Sequence, residues 1–219
     1  RSVGIKSFIF VDNCSDDGTR EYLLEQNDVV LFSADTEYKL SHYGVNWQQA
    51  ILSNFCINKW VVLADADEFI CYPDFETDCI EDFISELETN DFNCIRVNMI
   101  DMYPMGKLID ANLKKNDPLE ICCWYDKKPL NEDRLGSGSF SNTQSVVSSL
   151  RHRLSPNSPH SSYVSQKFSL VKYSPFMRFS EGIHYASNVK VPENSIAFMH
   201  FKYHSEFISK VNRKKLPNT

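Results

Sequence analysis

Residues 60–70 read WVVLADADEFI. An apolar run, Trp60 to Leu63, drives straight into Asp65, Asp67 and Glu68. Carboxylates this close repel one another unless a cation sits between them. Asp65 and Asp67 are separated by one residue, so an extended chain points both to one side. Donors of oxygen alone suit magnesium or manganese better than zinc. Two carboxylates also leave coordination positions for water and phosphate oxygens, as a cation that holds a diphosphate requires. The plainer alternative is an acidic surface turn that follows a strand.

The flanking sequence repeats the pattern. KSFIFVDN is a short buried strand, SDDGTREYLLEQN a helix start, and DVVLFS a second strand. SHYGVNWQQAILSNF has apolar residues near helical spacing, with Ser41 as a candidate cap, and KWVVLADADEF supplies the third strand. TDCIEDFISELETN carries Ile80, Phe83, Ile84 and Leu87 on one helical face, and FNCIRVNMI is a fourth strand. Strand and helix alternate, which predicts an α/β fold with a mostly parallel sheet flanked by helices. Ligands of such sheets bind at the carboxyl edge of the strands. Both VDNCSDDGT and LADADE place polar residues there.

The 219 residues suffice for a single domain with a sizeable core. With 42% hydrophobic and 24% charged residues, the chain has ordinary globular composition, which excludes disorder as the dominant state. A net charge of −6 argues against a nucleic-acid partner. The basic run Arg213, Lys214, Lys215 reads as a solvated helix end. No stretch approaches the roughly 20 apolar residues of a membrane-spanning helix, and no signal-peptide pattern opens the chain. The seven cysteines are scattered without a CxxC pair, which fits neither a zinc site nor a disulfide framework. A reducing, cytoplasmic setting is the expectation.

Regularity fades after Asp101. Residues 136–162 hold ten serines together with Gly and Pro, and read as a long loop. Order returns with the strand-like KFSLVKY and SIAFMHF, and a polar helix is expected from Ser205. The expected organisation is one domain over 1–219, with a regular half at 1–101 and a less regular half at 102–219.

A dehalogenase-like phosphatase also ends a strand in DxD, but that family has Thr or Val two residues after the second Asp, where this chain has Phe69. VDNCSDDGTREYL together with WVVLADADEFI instead resembles the family 2-type glycosyltransferases of the GT-A fold, in the subgroup with DNxSxDGT and DADEF motifs. VNMIDMYPMGKLIDA, DPLEICCWYD and MHFKYHSEF look like further features of that subgroup. The Ser-rich stretch has no counterpart.

The resemblance implies transfer of a sugar from a nucleotide-diphosphate donor to the hydroxyl of a carbohydrate or glycolipid acceptor, with inversion. Asp12, with Asn13 and Asp16 nearby, would correspond to the acidic turn that contacts the base and ribose of the donor, and Asp65 would also bind the donor. That makes 1–101 the nucleotide- and metal-binding half and 102–219 the acceptor side. Asp65 and Asp67 would hold Mn2+ or Mg2+, joined by His200, with His184 as the second choice. A helix-capping role is the plainer reading of Asp16 and Asp17. Asp126 is taken as the general base, ahead of Glu120 and Glu181. Arg151, Arg153 and Lys167 could hold phosphate oxygens or be surface charges. The family begins with a further strand, an Asn-Glu motif and a helix, and Arg1 falls just after that helix. The expectation is therefore a sheet that lacks its first strand, and a chain of low activity and marginal solubility. Polysaccharide assembly, with peripheral attachment to a membrane, is the setting that the resemblance suggests. The alternative is a non-catalytic nucleotide- or sugar-binding module that kept the fold.

Overall fold

The computed structural model describes residues 1–114, 116–128, 130–135, 140, 144–147, 149–157, 164–208 and 211. The first hundred residues form nearly the elements that their alternation predicts. These are β1 (Phe8–Asp12), α1 (Thr19–Leu24), β2 (Val29–Ser33), α2 (Val45–Phe55), β3 (Trp60–Val62), β4 (Glu68–Cys71), α3 (Ile80–Thr89) and β5 (Cys94–Asp101). A 3-10 turn (Leu108–Asp110) and α4 (Pro118–Ile121) follow, then β6 (Leu130–Leu135), β7 (Gln144–Val147), α5 (Ser149–Leu154), β8 (Gln166–Lys172), β9 (Arg178–Ser180), β10 (Tyr185–Ser187) and β11 (Ser195–His200).

The expected mostly parallel sheet is not what these strands build. The fold is mixed α/β around a five-stranded sheet of order β3-β8-β5-β11-β4. Only β5 and β11 run parallel; the other three pairings are antiparallel. The acidic segment explains part of this. WVVLADADEFI is not one strand but two, with a turn closed by the Glu68 N–H donating to the Asp65 carbonyl (3.1 Å). A parallel neighbour needs a crossover of a dozen or more residues, and five residues lie between β3 and β4. The two strands therefore run in opposite senses, at opposite edges of the sheet. From Val62 to Asp65 the chain reaches roughly 10 Å, and the turn adds less than about 7 Å. A flat sheet would hold its edges roughly 19 Å apart, so the sheet curls and the acidic segment arches over its end.

β1 and β2 form a separate parallel pair, with α1 as the crossover. β9–β10 and β6–β7 are antiparallel pairs. The Ser-rich stretch is less bare than its composition suggests, since β7 and α5 lie inside it. Apart from Phe140 and residues 155–157, its remaining residues, and Arg213 to Lys215, fall outside the described residues. Residues 205–208 are helical, where the last helix was expected to begin.

One face of the large sheet packs on α3 through Ile70, Ile95, Val97, Met99, Leu170, Ile196 and Phe198 against Ile80 and Leu87. The opposite face buries Phe168 and Val171 against Leu52 and Cys56 at α2. A bulge decides which face Lys167 joins. Ile95 pairs with Leu170, but Val97 pairs with Lys167 rather than Phe168. An extra residue in β8 thus brings Lys167 to the face of Val97, where strict alternation would have sent it to the other side. All seven cysteines are free thiols. Among the described residues no helix is long and apolar enough to cross a membrane.

Candidate functional site

The α3-covered face changes character at the carboxyl ends of β5 and β11. Register places Glu68 opposite His200 and His200 opposite Asp101, so three strands bring one charged row to the edge of an apolar core. Lys167 comes to the same end by the bulge in β8.

Glu68 is the fixed point. One carboxylate oxygen accepts from the Asp65 N–H (2.9 Å) and the other from the Lys167 ammonium (2.6 Å). That ammonium also donates to Asp65 (2.7 Å). The Glu68 side chain is 0% exposed and that of Lys167 is 7% exposed, so the pair satisfies a buried charge on each side. Burial alone would push the Lys167 pKa down; the charges of Glu68 and Asp65 outweigh it and raise it. Part of the cation that the sequence demanded is therefore a lysine of the chain itself.

Asp67 takes a different partner. Because the segment turns, Asp65 and Asp67 do not act as one same-side pair: Asp65 meets Lys167, while Asp67 Oδ2 lies 3.6 Å from His200 Nε2. On its other side, His200 Nδ1 is 2.6 Å from Asp101 Oδ1. A carboxylate can only accept, so Nδ1 carries the proton and Nε2 is aimed at Asp67. Arg151 from α5 forks Asp101 through Nε (2.9 Å) and Nη2 (3.0 Å), and also donates to the Val164 carbonyl (3.2 Å). Burial favours a neutral Asp101, yet the His200 hydrogen bond and the Arg151 charge hold it far below the ordinary carboxylate range. Burial likewise opposes the His200 imidazolium, but its bonds to Asp101 and Asp67 raise its pKa above the usual value.

Two donors held about 2.1 Å from one divalent ion stand roughly 3.0–3.4 Å apart at octahedral or tetrahedral angles. The Asp67–His200 gap is close to that, and a carboxylate behind the imidazole is the usual outer support of a metal-bound histidine. The pair fits a divalent cation. The expected set of Asp65, Asp67 and His200 is split, however, because Lys167 holds Asp65. Among the described residues no group of three His, Cys, Asp or Glu is placed to hold a metal ion.

The other expected residues lie apart from this row or beside it. His184 gives its Nδ1 hydrogen to the Gln166 carbonyl, next to Lys167, and burial lowers its pKa to about 4. Asp12 is buried; it accepts from the Ser15 N–H (3.2 Å) and lies 3.5 Å from Arg20. Asn13 donates to the carbonyls of Ala34 (2.8 Å) and Thr36 (3.1 Å), and Asp16 is exposed. These bonds tie the first acidic turn to the loop after β2. Asp126 is forked by Arg153 (2.6 and 3.0 Å) and accepts from the Tyr103 hydroxyl (2.9 Å). Arg151 and Arg153 share α5, so the Asp126 pair fastens the helix that delivers Arg151 to Asp101.

Sequence reasoning passed over Asp101, although it ends an apolar strand as Asp12 does. Glu68 stood inside the quoted motif without a role. Arg151 was weighed only as a holder of phosphate oxygens or a surface charge, and nothing in the Ser-rich stretch pointed to Asp101 as its partner. Comparison with protein-family models, with curated proteins and with solved structures returned no match.

Proposed function

We propose that this chain is a GT-A-type glycosyltransferase that uses Mn2+ or Mg2+ to transfer a sugar from a nucleotide-diphosphate donor to an acceptor hydroxyl, with inversion. One observation carries the reading: Asp67 and His200 face each other across 3.6 Å at the carboxyl ends of the strands, with Asp101 fixing the tautomer of His200. The two acidic turns, the DADEF motif and the parallel β1–β2 pair support it as resemblance.

In this reading Asp67 and His200 Nε2 would hold the cation. It would supply positive charge where the leaving diphosphate becomes more negative. Lys167 keeps Asp65 and Glu68 in place beside it, and Arg151 holds Asp101 charged so that His200 presents Nε2. Transfer forms a bond from the acceptor oxygen to the anomeric carbon and breaks the bond to the diphosphate. The acceptor proton passes to a carboxylate. Asp126 is the carboxylate chosen for this step, although no base motif of the family falls on it. Its carboxylate is already occupied by the Arg153 fork and the Tyr103 hydroxyl, which favours the second reading, a module that binds the donor without transferring it.

Manganese titration followed by paramagnetic resonance, with and without uridine, guanosine and cytidine diphosphates, tests the reading. Wild type should bind the metal, and Asp67→Asn and His200→Gln should lose it while the fold persists by circular dichroism. Retention of manganese in both variants sinks the metal assignment. Binding without turnover of any nucleotide sugar selects the module.

A further inference from the structure

The loop between β2 and α2 is built to display aromatic rings. His42, Tyr43 and Gly44 all adopt left-handed backbone (φ 52, 59 and 84). Two successive non-glycine residues in that region cost energy that the surroundings must hold in place. Ser41 does so: its hydroxyl donates to the Tyr38 carbonyl (2.6 Å) and accepts from the Gly44 N–H (2.9 Å). The missing Cβ of Gly44 is used as well, because one placed there would come within 3.2 Å of the Tyr38 ring.

This loop does not bury its rings. Tyr38 and Tyr43 are 49% and 55% exposed, edge to face at 5.9 Å and 79°. Trp47, on the first turn of α2, stands 6.1 Å from Tyr38. The same turn caps α2 and leaves the two tyrosines half out of the fold. The Tyr38 phenol is within electrostatic reach of the charged row, since Asp65, Lys167, Glu68 and Asp67 all act on it.

We infer that Tyr38 and Tyr43, backed by Trp47, form a stacking platform for a ring of the ligand whose phosphates lie at the Asp67–His200 end of the sheet. The inference rests on the donor-binding reading above and adds the part of the donor that this loop contacts. An apolar ring face against tyrosine is the shared chemistry, and either the nucleobase or the sugar can provide it.

The test compares wild type with Tyr43→Ala and Tyr38→Ala in the full chain, using four probes: manganese alone, manganese with pyrophosphate, manganese with each nucleoside diphosphate, and manganese with glucose 1-phosphate. Loss of one stacking ring should weaken a ring-bearing probe roughly five- to a hundredfold. Manganese and pyrophosphate should hold within about twofold on the same reasoning, since neither has a ring to stack. A loss confined to the nucleotides assigns the platform to the base; one confined to glucose 1-phosphate assigns it to the sugar. Equal affinities of wild type and variants for every ring-bearing probe overturn the platform while leaving the metal reading intact. Equal weakening of pyrophosphate also overturns it, by showing a general disturbance. If wild type binds no manganese, the donor-binding reading fails and the platform falls with it.

Discussion

Two apolar strands of this chain end in acidic turns, and the fold treats them in opposite ways. The turn after β1 is neutralised locally: Ser15, two residues past Asn13, donates to Asp12, and Arg20 of the next helix lies near it. The turn after β3 is neutralised from far away, by Lys167 some hundred residues later and by His200 at the end of the last strand. Their surroundings differ in the same sense. The large sheet is covered on both faces, whereas β1–β2 leaves Ile9 37% and Val30 54% exposed. Beside that pair, an apolar cavity of about 340 Å³ is lined by Val11, Phe32, Trp47, Ile51 and Phe55 among others. The lesson is that a strand ending in carboxylates announces only a charge to be balanced. Whether the balance is a local cap or a long-range constellation depends on what the fold brings to it.

The contrast can be broken by removing the cations. Lys167→Met leaves Glu68 charged and buried, and should destabilise the fold by about 3–5 kcal/mol in urea unfolding. Adding Glu68→Gln to Lys167→Met should restore part of the loss, because the orphaned charge goes with it. Arg20→Met, at the first turn, should move the unfolding midpoint far less, since Arg20 is itself exposed and the buried Asp12 keeps the Ser15 N–H. A large effect of Arg20→Met would mean that the two turns are not different in kind.

Core truncation sharpens the same comparison at slightly smaller scale. Leu170→Ala in the middle of the large sheet should cost about 2–5 kcal/mol. Val30→Ala on β2 should cost less than about 0.5 kcal/mol by the same measurement.

A pH series probes His184 beside the distant cations. Its pKa is lowered to about 4 in the folded chain, against about 6.5 unfolded. Between those values the unfolded chain binds more protons, so stability falls as pH falls. The loss should be about 3 kcal/mol, nearly complete near pH 4, and His184→Gln should flatten it. A wild-type slope that persists unchanged in the variant assigns the loss to other groups. His200 works the other way. Its raised pKa stabilises the fold below the unfolded value and is lost as pH rises through the folded one, so the two histidines can be told apart by the direction of their slopes.

The smallest expected effect concerns Asp126. If its Arg153 fork only fastens α5, Asp126→Asn should lower donor turnover by less than tenfold. A base in direct proton transfer should cost roughly a hundred- to ten-thousandfold. Turnover of a nucleotide sugar at saturating manganese separates the two.

Local pattern made the early elements legible. Apolar periodicity and cap residues located β1, α1, β2, α2, α3 and β5 to within a few residues, because each is fixed by neighbours along the chain. The same reasoning joined β3 and β4 into one strand, since a run of apolar residues around Asp65 and Asp67 does not reveal a turn. Of the site, Asp67 and His200 were both visible as residue types at strand ends, and their meeting was not.

By itself, then, the sequence determined most elements of the first hundred residues and that carboxylates gather at strand ends, since both depend on spacing along a few residues. The tertiary structure alone decided the mixed sheet, the bulge that turns Lys167 inward, and the row Glu68, His200, Asp101 with Arg151 behind it. Those outcomes depend on strand register and on pairs of charges up to about a hundred residues apart. No local pattern encodes such pairs, because the energy that selects them arises only when burial removes water from both partners at once.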